Sequence, residues 1–182
     1  MRIVFLDRDG VINEFPGHRN YVTSWEEFSF IPGSIEAICL LKEHGFKVYV
    51  ASNQAGVAKG LYSHKDLECI NKNMLKEIRG WGGDLDDIFY CFHRDEDDCD
   101  CRKPKPGLLT RVLDNLEQKP KDCFFIGDSL RDVKAARNAG CKSVLVLSGS
   151  ESAKNRENWE IKPDYVFDDL FEAVRKICLS YE

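Results

Sequence analysis

The sequence predicts an α/β fold with three layers, a mainly parallel sheet lying between helices on both of its faces. Two observations carry this. Short apolar runs of strand length alternate with longer stretches of helical period along the whole chain, the pattern that parallel sheets with crossover helices produce. The first run, Ile3–Leu6, is continuously apolar, as a strand covered on both faces must be.

The elements follow in order. Ile3–Leu6 opens the sheet. Pro32-Gly33-Ser34 leads into a helix over Ser34–His44, with Ile35, Ile38, Cys39 and Leu41 on one side and Gly45 as its stop. Lys47–Ala51 is the second strand. A long helix covers Ser63–Trp81. Ser63 and Asp66 have the spacing of a reciprocal N-cap, and Leu67, Ile70, Met74 and Ile78 form a stripe that belongs in a core. Asp87–Cys91 is the third strand, and Leu108, Leu109, Val112, Leu113 and Leu116 mark the next helix. Cys123–Ile126, Ser143–Leu147 and Tyr165–Phe167 are further strands, separated and followed by helices Arg131–Ala139 and Leu170–Leu179. Ser148–Pro163 is polar and without period, and reads as a loop. No repeat, low-complexity tract or boundary interrupts the pattern, so residues 1–182 read as a single domain.

Composition excludes several function classes. With 26 Lys and Arg against 31 Asp and Glu, the net charge of −5 disfavours nucleic-acid binding, which relies on excess cations. The longest apolar runs, Ala37–Leu41 and Ile88–Phe92, have five residues, far short of the roughly 20 that span a membrane. Asp7 arrives after four apolar residues, too soon for an export leader. A cytoplasmic location with reduced thiols is therefore expected. On that basis Cys39, Cys69, Cys123, Cys141 and Cys178, which lie among apolar neighbours, read as small buried hydrophobes.

In open parallel sheets ligands sit at the carboxyl ends of strands, so the residues just beyond each strand carry the chemistry. After the first come Asp7-Arg8-Asp9-Gly10. Carboxylates at i and i+2 of an extended chain point the same way, and their repulsion calls for a cation or a proton between them. After the second come Ser52-Asn53, a hydroxyl and an amide suited to holding an anion. Gly56 to Gly60 lacks the Gly-Lys-Ser/Thr ending of a nucleotide-binding loop. Cys101-Arg102-Lys103-Pro104-Lys105-Pro106 presents cations on a stretch stiffened by two prolines. After the strand at Cys123–Ile126 come Gly127-Asp128 and, one turn on, Asp132, an acid that also suits a helix start.

Taken together, Asp7-x-Asp9-Gly10, Ser52-Asn53, Lys103-Pro104 and Gly127-Asp128-x-x-x-Asp132 resemble the haloacid dehalogenase superfamily of phosphohydrolases, which has a Rossmann-like fold. The resemblance implies that Asp7 is the nucleophile that forms an aspartyl-phosphate and that Asp9 is the general acid and base. It implies Mg²⁺ held by Asp7, the backbone carbonyl of Asp9, and Asp128. Ser52 and Lys103 would neutralise and grip the phosphoryl oxygens, and Asp132 would orient Lys103 or metal-bound water.

A second cluster stands apart. Cys91, His93, Cys99 and Cys101 supply three thiols and an imidazole within 11 residues, a complete Cys₃His set for tetrahedral Zn²⁺ that leaves no open position, hence a structural role. Zinc there would clamp the loop and fix Arg102 and Lys103. Asp95, Glu96, Asp97, Asp98 and Asp100 beside it lack an EF-hand pattern and read as a solvated face.

With this cluster the chain looks like the zinc-containing D-glycero-D-manno-heptose 1,7-bisphosphate phosphatases, with the histidinol-phosphate phosphatases as close relatives. The resemblance rests on Leu6-Asp7-Arg8-Asp9-Gly10-Val11-Ile12-Asn13, Ser52–Gly60 and Cys99–Pro104. It implies a fold without a large cap domain, and a small phosphorylated sugar as substrate, most naturally losing its 7-phosphate on the way to heptose-containing surface glycans such as lipopolysaccharide. Ser52, Asn53, Gln54, Ala55, Arg102, Lys103 and Tyr21 would contact it, with the loop Phe15–Val22 forming part of the sugar site. It implies a monomer without nucleic-acid or membrane partners. A histidinol-phosphate phosphatase, a polynucleotide 3′-phosphatase and a noncatalytic phospho-receiver stay open as alternatives. The first shares the chemistry; the second would need a basic groove; the third has no use for Asp9.

Overall fold

In a computed structural model, which describes residues 1–18, 20–117 and 119–181, six parallel strands form one sheet. They are β1 (Arg2–Leu6), β2 (Phe46–Asn53), β3 (Asp87–Cys91), β4 (Asp122–Gly127), β5 (Lys142–Val146) and β6 (Tyr165–Phe167). Their spatial order is β3-β2-β1-β4-β5-β6. The helices are α1 (Ser34–Glu43), α2 (His64–Gly80), α3 (Gly107–Leu113), α4 (Leu130–Asn138) and α5 (Leu170–Leu179).

The three layers follow from where the apolar side chains go. Ile3, Val4, Phe5 and Leu6 of β1 are fully buried, alternating between the two faces. Val4 and Leu6 join the core built with Ile38 and Leu41 of α1, Ile70, Met74 and Ile78 of α2, and Val174 and Ile177 of α5. Ile3 and Phe5 pack with Leu108, Leu109 and Val112 of α3 and Ala135 and Ala136 of α4. The expected N-cap of α2 is present: Ser63 Oγ accepts the Asp66 amide while Asp66 accepts the Ser63 amide. Among the described residues no helix is long and apolar enough to cross a membrane.

Several expectations need correction, among them the loop Ser148–Pro163, which contains a 3-10 helix over Ala153–Asn158. β2 extends to Asn53, so Ser52 and Asn53 lie on the strand and pair with Tyr90 and Cys91 instead of following it. The helix marked by Leu108–Leu116 ends at Leu113. Cys123 and Cys141 form a disulfide with Cα atoms 4.9 Å apart. The strand pairing explains it: Phe124 lies opposite Lys142, which brings the preceding cysteines together. Cys178 is buried as expected, whereas Cys69 is exposed.

Chain order reverses at β1: β2 and β3 are laid down on one side of it, and the chain then crosses over to build β4, β5 and β6 on the other. The carboxyl ends of β1 and β4 therefore open onto a crevice, the position at which such sheets bind ligands.

Candidate active site

Asp7 follows β1 directly. Its amide donates to the Ile126 carbonyl at 2.9 Å, so sheet pairing continues into the acid. Asp128 follows β4 on the adjoining strand and is buried. Two glycines let the chain close on it. Gly10 has φ +80°, a left-handed value natural to glycine, and a Cβ at Gly10 or Gly149 would overlap the Asp128 carboxylate. With no side chain at 149, the Ser150 amide reaches Asp128 Oδ2 at 2.7 Å.

Lys103 arrives from the segment before α3 and is buried between two acids, 2.8 Å from Asp7 Oδ2 and 2.6 Å from Asp132 Oδ1. Its backbone is gripped by Asn53 from both sides: Asn53 Nδ2 donates to the Lys103 carbonyl at 3.2 Å and Asn53 Oδ1 accepts the Lys103 amide at 3.1 Å. Asp132 also caps α4, its Oδ2 accepting the Ser129 amide and hydroxyl. Asp132 thus stands at the helix start and against Lys103 at once.

Carboxylate oxygens of Asp7, Asp128 and Asp132 lie within 4.8 Å of one another. One ammonium among three carboxylates leaves an excess of negative charge. Burial pushes the Asp7 carboxyl up to about 6, with Lys103 pulling against it and the charge of Asp132 adding to it. Burial, then Asp132 and Asp7, hold Asp128 well above the usual carboxylate range. Lys103 is held charged: its two acid partners outweigh burial and raise it. An all-oxygen, doubly negative pocket fits a divalent hard cation. Asp7 and Asp128 line the cavity, whereas Asp132 lies behind them against Lys103 and Ser129.

Asp9 is held by three side chains. Its Oδ1 accepts Arg8 Nη2 and Asn13 Nδ2, both at 2.9 Å, and its Oδ2 accepts Gln54 Nε2 at 2.8 Å. Arg8 is fully buried, and Tyr62 donates its hydroxyl to Gln54 Oε1. This corrects the expectation for Gln54 as a substrate contact. Its side chain is fully buried beneath Asp9 and does not line the cavity.

That cavity, of about 1020 Å³, spans the strand ends. Asp7, Asp9, Ser52, Asn53, Lys103 and Asp128 line its depths, and Ala55, Tyr21 and Arg102 its walls, so most of the sequence-predicted residues converge on it. Arg19, within the expected sugar loop, lies outside the described residues. Sequence reasoning missed Lys59, Asp95, Arg131, Ser150 and Glu151, which also line it. Asp95 does not face solvent alone: it takes the Arg102 Nε at 2.7 Å.

Beside the cavity, donor atoms of Cys91, His93, Cys99 and Cys101 lie within 4.8 Å of one another. The sulfur separations are 3.7 Å (Cys91–Cys99), 3.5 Å (Cys99–Cys101) and 3.1 Å (Cys91–Cys101), and His93 Nδ1 is 3.2 Å from the Cys101 sulfur. A tetrahedral ion with bonds of about 2.3 Å to sulfur sets edges of about 3.8 Å, so the set is slightly contracted about one centre.

Comparison with known proteins places this geometry. Residues 100–173 match the HAD-hydrolase-like family model. The chain is 37% identical over 177 residues to the D-glycero-beta-D-manno-heptose-1,7-bisphosphate 7-phosphatase of Pseudomonas putida, covering 97% of this chain and 99% of that one. It is 34% identical to the enzyme of the same name from Neisseria meningitidis serogroup A, covering 94% and 92%. The crystal structure of D,D-heptose 1,7-bisphosphate phosphatase from B. bronchiseptica, complexed with magnesium and phosphate, superposes with a TM-score of 0.91 at 34% identity, covering 99% of both chains. The chain belongs to the heptose-1,7-bisphosphate 7-phosphatase family of the haloacid dehalogenase-like hydrolases.

Proposed function

We propose that the protein is a Mg²⁺-dependent phosphomonoesterase that removes the 7-phosphate of D-glycero-D-manno-heptose 1,7-bisphosphate through a covalent aspartyl-phosphate. The observation that carries this reading is the buried Lys103 ammonium set between Asp7 and Asp132 at the floor of the cavity, with Asp128 adjoining. It is a charge arrangement built to receive a phosphoryl group beside a nucleophilic carboxylate.

In the first step an Asp7 carboxylate oxygen bonds to phosphorus and the bond from phosphorus to the sugar oxygen breaks. Asp9 delivers a proton to the departing alkoxide. In the second, water attacks the same phosphorus, its proton passes to Asp9, and the Asp7 carboxylate is regenerated as inorganic phosphate leaves. Even pushed up to about 6, Asp7 is mostly ionised at neutral pH and needs no base. Lys103 offsets charge on the phosphoryl oxygens, and Ser52 and Asn53, which line the cavity, are placed to hydrogen-bond them. Mg²⁺ held by Asp7, the Asp9 carbonyl and Asp128 would neutralise the charge that otherwise opposes an anionic nucleophile meeting an anionic ester.

Cys91, His93, Cys99 and Cys101 would hold structural Zn²⁺, fixing the turn that runs directly into Arg102 and Lys103. The cations on the cavity wall, Lys59, Arg102 and Arg131, favour a second phosphate on the substrate over the ammonium of histidinol phosphate. The test is a kinetic comparison of α- and β-heptose 1,7-bisphosphate, histidinol phosphate and fructose 1,6-bisphosphate with Mg²⁺. A heptose bisphosphate should lead in kcat/KM by at least tenfold; comparable low rates on all four would overturn the substrate while leaving the chemistry.

A further inference from the structure

On the cavity wall one carboxylate stands among cations from three different parts of the chain. Asp95, in the 3-10 turn Asp95–Asp97, accepts Arg102 Nε at 2.7 Å, and its Oδ1 lies 3.9 Å from Arg131 Nη1 of α4. Lys59, from the loop after β2, adds its positive field and is tied to Tyr21, its Nζ 3.0 Å from the Tyr21 hydroxyl. All five side chains line the same cavity as Asp7. Arg102 is anchored a second time, through Nη1 on the His93 carbonyl at 3.1 Å.

The charges are unbalanced in an informative way. Around Asp95 three cations gather on one anion, on the cavity wall beside the Asp7–Lys103 floor, and that anion is the chain's own; Lys134 and Glu160, also on the wall, pair with each other. The Asp95 side chain is 69% exposed, so water screens its ion pairs and they yield easily to a stronger anion. A phosphate carries nearly twice the charge of a carboxylate and three acceptor oxygens, enough to engage two guanidiniums together. A hydroxyl or other neutral group has no charge with which to displace the carboxylate.

We propose that Asp95 is an internal competitor, an anion that occupies Arg102 and Arg131 until a second phosphate on the substrate displaces it, with Arg131 as a further cation of that second-phosphate position. The inference rests on the bisphosphate reading above. Asp95 makes occupation of the wall conditional on a dianion, at the expense of some affinity for the bisphosphate itself.

Two substrates separate the effects: heptose 1,7-bisphosphate, and 4-nitrophenyl phosphate, which has no second charged group. In Asp95→Asn the KM for the bisphosphate should fall about three- to fivefold with kcat changing much less. The bisphosphate-to-nitrophenyl ratio of kcat/KM should rise by the same factor. Asp95→Glu, which keeps the charge, should hold the wild-type ratio, and Arg131→Gln should lower it. A rise in bisphosphate KM in Asp95→Asn would overturn the proposal by showing that Asp95 only steadies Arg102. Equal shifts for both substrates, or an unchanged ratio in Arg131→Gln, would also overturn it. Wild-type protein that consumes 4-nitrophenyl phosphate but not the bisphosphate would instead bring down the substrate reading beneath it, a result visible before any variant is made.

Discussion

The Asp132 carboxylate divides its two oxygens between Lys103, whose ammonium lies 2.6 Å from Oδ1, and the first turn of α4, where Ser129 donates to Oδ2. Fold and chemistry thus meet in one side chain. Asp132→Asn keeps a cap acceptor but removes the charge that balances a buried ammonium. Losing one partner of a buried pair typically destabilises by about 3–5 kcal/mol, and mispositioning a phosphoryl-binding cation typically lowers kcat about 10²-fold. Urea unfolding and steady-state kinetics on the same preparation should show both losses.

The acid cluster fixes how stability responds to pH and Mg²⁺. Asp7 has a folded value of about 6 against 3.8 for the unperturbed group, and Asp128 shifts in the same direction. The metal-free folded state therefore holds more protons than the unfolded chain between about pH 4 and 6, and stability falls as pH rises through that window. Mg²⁺ binds the ionised carboxylates. The rise in Tm on adding Mg²⁺ should accordingly be several degrees larger at pH 7 than at pH 5, as read by scanning calorimetry; an equal rise at both would contradict the assignment of Asp7 and Asp128 as its ligands.

Gln54 offers a clean division between positioning and contact. Its amide holds Asp9 Oδ2 while Tyr62 holds Gln54. Gln54→Leu should lower kcat about tenfold or more through the proton transfers of Asp9, with little change in KM, and Tyr62→Phe should do the same more weakly. If KM rises while kcat holds, Gln54 touches the substrate instead.

Metal analysis should find one Zn²⁺ per chain, lost in Cys99→Ser. Chelation followed by restoring Mg²⁺ alone should reduce kcat/KM about 10- to 100-fold, the usual effect of disturbing what orients a site; unchanged kinetics would mean that the turn holds Arg102 and Lys103 without zinc.

The strands and helices were legible because nearly every one is a run of apolar residues at a single period, and the chemistry was legible because it sits where those runs stop. Asp7 and Asp128 needed only that rule, and Lys103 was marked by the two prolines that stiffen its segment. What escaped had no local signature. Asp95 looks like any acid of an acidic stretch until tertiary pairing sets Arg102 and Arg131 beside it. Ser150 acts through its backbone amide, which every residue possesses. Gln54 turns inward because β2 runs two residues past the end of its apolar pattern, and Cys123 meets Cys141 only through the register of β4 and β5.

The bareness of positions 10 and 149 reaches beyond this molecule's chemistry. Asp128 occupies volume that a single methyl on either side would claim, so part of the metal pocket is specified by atoms that are not there. Saturation libraries at these two sites should return glycine and nothing else among active clones. Efforts to redirect the enzyme toward other esters will find their room for variation on the outer wall, around residues 59, 95 and 131, where side chains are exposed and neighbours can give way.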